Sequence, residues 1–396
     1  MLIRWWMPPD ALRDRLREVF GGRRLAALLG CVWVAVGLCG CAPRPAFFPL
    51  GIYGVPKEDL PLAKAAGFNT VYAKATKDYL DAARQAELRV LATAGSSAGK
   101  GFNHAGVRSA VERLDAHPAL WSWYLIDEPD LHNVSPGEVV AARRHFRRFG
   151  ARKPTSLVVF DGGSAADYGS IPDWMMVDRY PVPWAPLWTF WDHVRLARLG
   201  TPRRTPLVPV LQGFSWEHYP ELLGPAYPGP FRPPTRLEME NMAHQAMVVG
   251  VDGLFFYAWK ARGWDATSEP GFHGALTNVL SMVQERLPLF QAEKEWWPYW
   301  ARFNPADTAR DQTVGAPVKS AWLRVRVGTR RVPAGHYWVG VNVMEEPVTM
   351  EFKLPAFTLS DRLTSLDGKS YPVETQWVGL SFGALETIIL GPFGGE

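Results

Sequence analysis

Cysteine is nearly missing from this chain. Its 396 residues include three, Cys31, Cys39 and Cys41, all within the first 41 positions. The rest of the sequence therefore carries no disulfide, no cysteine metal site and no thiol nucleophile, and it is indifferent to an oxidising compartment. Other chemistries are missing too. The nine histidines show no His-Glu-x-x-His or comparable spacing, so no metal site is expected. No Gly-x-Ser-x-Gly elbow occurs, which argues against an esterase. "GSSAGKG" at 95–101 falls short of a phosphate loop: its spacer is one residue too short, and Gly101 stands where a Ser or Thr would hold magnesium. No cofactor is expected. An excess of one charge is absent as well. The net charge is +4, but residues 1–41 hold six arginines against three acids, leaving 37 basic and 36 acidic residues beyond them. Such a body lacks the basic stripe of a nucleic-acid binder.

Aromatic and apolar residues, in contrast, are plentiful. A hydrophobic content of 47% is enough for a large core. The 18 tryptophans serve such a core, and they also suit a binder of flat, hydroxyl-rich rings. Near the N-terminus, Arg23 and Arg24 precede the apolar run "LAALLGCVWVAVGL". Its 14 residues are short for a membrane span but right for an export signal. The run ends in Leu38-Cys39-Gly40-Cys41, which resembles a bacterial lipobox. In such signals the cysteine after the small residue receives the lipid. Residues 1–40 are therefore expected to be a lipoprotein signal peptide, with Cys41 the lipidated residue and 41–47 a tether. The expected location is the bacterial cell envelope, with the membrane a partner through the lipid anchor.

Beyond the tether, short β-rich runs alternate with stretches of helical period. Strands are predicted in "FFPLGIYGV", "FNTVYA" and "LRVLATA", then at 121–126, 155–160, 174–180, 206–214 and 253–259. Helices are predicted between them, with one at 235–249 before the last strand and one at 273–292 after it. Strand–helix alternation implies parallel strands, and eight units point to a closed (β/α)₈ TIM barrel over 48–300. After a linker at 301–317 the pattern changes. "SAWLRVRV", "HYWVGVNV" and "VTMEFKL" alternate apolar and polar with period two and no helical pattern intervenes, so 318–396 is predicted to be a small antiparallel β-sandwich.

Barrel active sites lie at the C-terminal strand ends. The predicted ends present Tyr53, Tyr72, Asp127, Glu128, Asp178, Tyr180, Gln212, Tyr257 and Trp259. Aromatic faces stack on sugar rings while carboxylates and amides bind hydroxyls, so this mix suits a glycan. His132 and His218 fall near the same rim. Glu128 is the sharpest candidate. Glycoside hydrolysis needs a carboxylic acid that keeps its proton until the leaving oxygen takes it. Burial among Trp121, Trp123 and Tyr124 is expected to raise its pKa, and adjacent Asp127 pushes the same way.

"HPALWSWYLIDEPD" resembles the fourth-strand signature of the retaining glycoside hydrolases of clan A. In that clan a glutamate at this strand end is the general acid/base, a role the resemblance implies for Glu128. The residue before it there is usually Asn, and here it is Asp127. "MMVDRYPV" resembles the sixth strand of those barrels, and "TRLEMENMAHQAMVVGVDGLFFYAW" their last helix and strand. The resemblance covers about 48–300 and implies an O-glycosyl hydrolase. The clan's nucleophile is a glutamate ending strand seven, yet "LVPVLQGFSW" carries Gln212 there, and a neutral amide forms no glycosyl ester. Three alternatives stay open: Asp178 as the second carboxylate, Glu217 folding back into the cleft, or glycan binding without cleavage. Replacing Cys41 by Ser is expected to move the protein from the membrane pellet to the soluble fraction and to abolish incorporation of a labelled fatty acid.

Overall fold

The computed structural model describes residues 45–95, 102–222, 229–295, 301–303, 324–354 and 360–393. The expected signal peptide, Cys41, most of the tether and most of the 301–317 linker lie outside these residues. Eight strands close into a barrel in sequence order. They are β1 (Leu50–Tyr53), β2 (Thr70–Lys74), β3 (Arg89–Thr93), β4 (Leu120–Tyr124), β5 (Thr155–Val159), β6 (Trp174–Asp178), β7 (Leu207–Gln212) and β8 (Leu254–Tyr257). Every neighbouring pair is parallel, including β8 against β1. Between them run α1 (Leu60–Ala66), α2 (Lys77–Gln85), α3 (His104–Leu114), α4 (Pro136–Arg148), α5 (Ala165–Tyr168), α6 (Trp188–Gly200) and α7 (Arg236–Val249).

Parallel strands covered by helices are buried on both faces, and every residue of β4, β5, β6 and β7 is buried. Alternation then sorts each strand's side chains between two cores. Trp121 and Trp174 point inward and meet edge-on at 4.9 Å, with Phe255 6.3 Å from Trp121, to fill the barrel floor. Gly51 is the concession this floor demands, because a Cβ there would lie 2.3 Å from the Phe255 ring. Trp123 faces the helices instead, because the register of β4 against β3 shifts between Leu120 and Ser122 and breaks the alternation, and its indole donates to Asp115 at 2.8 Å.

Helix starts follow their sequences. Ser135 with Glu138 and Thr235 with Glu238 form reciprocal capping boxes at α4 and α7, and Arg232 adds two bonds to Glu238 at 2.6 and 2.7 Å. The helix predicted over 273–292 is two: α8 (Phe272–Glu285) and α9 (Leu287–Gln291). Pro288 lacks an N–H and cannot continue the ladder of α8, but it is tolerated in the first turn of a new helix.

The C-terminal strands form two antiparallel sheets. One orders β11 (Glu293–Glu295), β13 (Val325–Val332), β14 (Gly335–Asn342) and β19 (Thr387–Phe393). The other orders β12 (Ala301–Phe303), β15 (Val348–Lys353), β18 (Trp377–Phe382), β17 (Ser370–Glu374) and β16 (Arg362–Thr364). Before β11, the hairpin pair β9 (Lys260–Ala261) and β10 (Trp264–Asp265) follows the barrel. Trp338 stacks on Phe352 with centroids 4.5 Å apart at the centre of the C-terminal core. Strands β11 and β12 begin the sheets within the segments expected to be barrel and linker. Each is three residues long, too short to show a period of two, and only their pairing with β13 and β15 makes them strands.

Helix α7 joins the two parts. It is buried nearly all round, with the barrel on one side and the first sheet on the other. Asn241 donates through Nδ2 to the carbonyls of Asn342 (2.7 Å) and Leu385 (2.8 Å), and Gln245 donates to its Oδ1 at 2.7 Å. Replacing Asn241 by Ala strands these buried partners and is expected to cost about 1–3 kcal/mol, read as a lower urea midpoint.

Candidate active site

The four residues Asp127, Glu128, Pro129 and Asp130 divide their labour. Tyr124, the last inward residue of β4, donates its hydroxyl to Asp127 at 2.5 Å. Asp130 braces the loop, accepting the backbone N–H groups of Phe160 (3.0 Å) and Asp161 (2.8 Å) just past β5. Pro129 and Glu128 accept at their carbonyls from Val134 (2.8 Å) and His132 (3.1 Å). Glu128 itself has φ +38°, a left-handed conformation that costs a side-chain-bearing residue about 1–3 kcal/mol. The surrounding turn holds the glutamate where an ordinary strand extension would not carry it.

Asp178 ends β6 on the same inward face as Trp174 and Met176. It is only 4% exposed. Its carboxyl lies close enough to that of Glu128 for the two to shift each other's titration, and Tyr180 acts on it as well. Its Oδ1 is buried and has no hydrogen-bond partner. Burial raises the Asp178 pKa well above the carboxylate range, and the charges of Glu128 and Asp127 push it further. Burial also raises Glu128, the Asp178 side chain opposing this and the Asp127 charge reinforcing it. Two neighbouring buried carboxyls cannot both ionise cheaply, so they titrate as a pair rather than independently.

Tyrosines wall this pair. Tyr53 and Tyr72 lie 4.7 Å apart, Tyr72 and Tyr124 5.0 Å, and Tyr180 stacks on Tyr257 at 5.8 Å. Tyr219 donates to the Tyr257 hydroxyl at 2.9 Å. Sequence reasoning missed Tyr219 because it follows β7 by a loop turn rather than ending a strand. Burial raises the phenol pKa values of Tyr53, Tyr124 and Tyr180, and the neighbouring carboxylates add to it, so all stay protonated donors.

Three residues proposed for the site stand elsewhere. Gln212 is fully buried and its amide is spent on backbone: Oε1 accepts from Val182 N–H at 2.8 Å, and Nε2 donates to the carbonyls of Val182 (2.8 Å) and Phe214 (3.1 Å). Trp259 lies outside the barrel wall, its indole donating to Asp59 at 2.9 Å and its ring packed on Phe68 and His273. Tyr257 and Ala258 both belong to the interior core, so the alternation breaks there and turns Trp259 outward. Glu217 sits on a short 3₁₀ turn with its side chain 54% exposed, 3.4 Å from His218. The tryptophans expected to desolvate Glu128 do not do so. Trp121 is on the barrel floor and Trp123 faces the helices, leaving that role to the Asp178 and tyrosine cluster. Among the described residues, no group of three His, Cys, Asp or Glu side chains is arranged to hold a metal ion.

This architecture recurs among solved structures. A catalytic mutant of a β-galactosidase from G. stearothermophilus superposes with a TM-score of 0.55 at 9% identity, covering 89% of this chain and 100% of that one. An α-amylase from Geobacillus thermoleovorans complexed with acarbose gives 0.52 at 10%, covering 84% and 90%. A maltogenic α-amylase from Thermotoga neapolitana gives 0.53 at 10%, covering 86% and 98%. No family model matches the chain, and no curated protein sequence does either. The protein is thus a (β/α)₈ barrel with C-terminal antiparallel sheets, and its fold resembles that of glycoside hydrolases.

The raised carboxyls set a pH dependence. A group protonated in the fold above its ordinary pKa stabilises fully below that value, near pH 4 for carboxyls, and loses the contribution as pH rises through the folded value. Buried His244, lowered to about 3, pushes stability the other way up to about pH 6.5, so the pair's contribution is read as a difference between two proteins. Asp178→Asn, which removes one acid and its repulsion on Glu128, is expected to gain in urea midpoint relative to the natural sequence as pH rises from about 4. Parallel curves for the two proteins would remove the coupled pair as its source.

Proposed function

We propose that this protein is a glycoside hydrolase that cleaves O-glycosidic bonds of an envelope or extracellular glycan. The observation that carries the reading is the pairing of the carboxyls of Glu128 and Asp178, each acting on the other's titration, inside a tyrosine-walled barrel mouth. Their separation selects the outcome, roughly 5–5.5 Å suiting a retaining and 6.5–9.5 Å an inverting enzyme. Glu128, the less enclosed of the two, gives its proton to the leaving oxygen. Asp178 is then a carboxylate steadied by the Tyr180 hydroxyl, able to attack the anomeric carbon or to activate a water. Asp127 keeps the pair's pKa high, and Tyr53, Tyr72 and Tyr257 offer faces to the sugar ring.

Gln212 favours a second reading, a glycan-binding protein without turnover, because the strand-seven end that carries the nucleophile in the resembling clan holds a locked amide. In either reading the sequence supports export as a bacterial lipoprotein anchored through Cys41. Reducing-end release from a panel of glycans separates the two. Glu128→Gln is expected to lower kcat/KM by about 100-fold or more while the fold, followed by circular dichroism, is kept. Unchanged turnover would remove Glu128 as proton donor, and tight glycan binding by the natural sequence without turnover would establish the binder.

A further inference from the structure

The two ends of the barrel differ in charge, which the near-neutral total conceals. Parallel strands put every loop that enters a strand at one end, the base, opposite Glu128 and Asp178. Five cations stand there: Arg89 opens β3, Arg152 and Lys153 precede β5, and Arg203 and Arg204 precede β7. All but the half-buried Lys153 are exposed. Among the described residues none of the five forms an ion pair. The acids of the same loops are already engaged. Glu87 lies 3.4 Å from Lys64, Asp173 pairs with Arg143 at 2.6 Å and Arg147 at 2.8 Å, and Asp252 lies 3.7 Å from Arg198. Asp115 accepts the Trp123 indole and the backbone N–H groups of Arg152 and Lys153. The last helical turns add Arg84, Arg113 and Arg148 against the acids Glu112 and Glu285, all exposed. A helix macrodipole acts within its own last turn, which accounts for those three arginines and not for the loop cations.

The chain itself arrives at this face. Phe47, just before β1, lies edge-on to Trp121 of the barrel floor at 5.9 Å, and the Arg89 guanidinium stands 3.8 Å over its ring. Cys41 comes six positions earlier, a stretch that spans at most about 20 Å. A lipid on that cysteine keeps the base within reach of the bilayer. Phosphodiester headgroups are the anions such a surface presents, and cations within a Debye length of them are attracted. A nucleic acid matches the charge but gives no reason for the tether to leave from the same face. We infer that the base, through Arg89, Arg152, Lys153, Arg203 and Arg204, docks on a bilayer of anionic phospholipid and turns the barrel mouth away from it. The tether argument rests on the lipid anchor proposed above, and the charge argument does not. The inference adds that glycan reaches the mouth from the aqueous side.

The body past Cys41 has no cysteine, so single labels report its orientation. Ala116→Cys, in the exposed loop before β4, marks the base, and Leu131→Cys, 49% exposed past the β4 turn, marks the mouth. Each acylated protein carries a fluorophore and is reconstituted into phosphatidylcholine vesicles, with or without phosphatidylglycerol, that contain a headgroup-linked quencher. The base label is expected to be quenched about three-fold or more above the mouth label on phosphatidylglycerol vesicles, the ratio falling on neutral vesicles and with added salt. Flotation of the Cys41→Ser protein tests the charge without the anchor. It is expected to bind phosphatidylglycerol vesicles, and to lose about ten-fold or more in affinity when Arg152→Glu, Arg203→Glu and Arg204→Glu are combined, with circular dichroism unchanged. Stronger quenching of the mouth label, a ratio indifferent to phosphatidylglycerol, or flotation indifferent to the three reversals would each overturn the inference. Capture of duplex DNA without flotation would overturn it too, assigning the face to a polyanion in solution. The readings fail separately. A chain without an acyl group on Cys41 that still floats through these arginines loses only the lipoprotein reading. An acylated protein whose two labels are quenched alike loses only this inference.

Discussion

A closed ring of parallel strands has an inside that water cannot reach except at its ends. Each strand must therefore supply bulk to the interior at every second residue, and polar groups there are tolerable only near the mouth. The rest of the molecule depends on this constraint. Trp121, Trp174 and Phe255 plug the floor, Met176 and Val210 fill the middle, and tyrosines take over where the solvent begins. Asp178 is the limit of what the rule permits. It is a carboxyl one pleat above a methionine, so deeply enclosed that its protonation becomes conditional on its neighbour.

The same burial that makes Asp178 costly gives the site its chemistry. A carboxyl exposed to water, such as Glu217, has no such enclosure. Two carboxyls that titrate together inside a tyrosine wall keep a proton longer than either would in water. The left-handed backbone of Glu128 belongs to this arrangement, because the turn it sits in leaves the regular path of the strand. Asp130 carries the cost by tying the turn to β5. Helix α7 plays the matching part on the outside. It is polar enough to cap itself and to anchor the C-terminal sheets through Asn241, and apolar enough to back β7.

Much of the fold was legible because parallel strands and amphipathic helices write long periodic signals. The eight-fold alternation, the change to period two after the barrel, and the strand ends at Asp127, Glu128 and Asp178 could all be read directly. Parity along a single strand was legible only while the strand stayed regular. Trp259 was placed in the site by counting two residues past Tyr257, and the break at Ala258 put it behind the wall. Gln212 had the right type for sugar binding, but a buried amide takes the nearest backbone partners, and the loop at Val182 supplied them.

The sequence by itself determined the order of the strands and, where a strand stayed regular, which of its residues reach the barrel mouth, since both are local properties of the chain. It also determined that thiol chemistry is excluded from everything past Cys41. Only the tertiary structure decided that β6 lies close enough to the β4 turn for Asp178 and Glu128 to act on each other. Interaction between groups 50 positions apart depends on barrel closure, which no local pattern encodes. The same closure decided the pKa shifts, because desolvation is a property of what surrounds a carboxyl and not of the residues beside it in sequence.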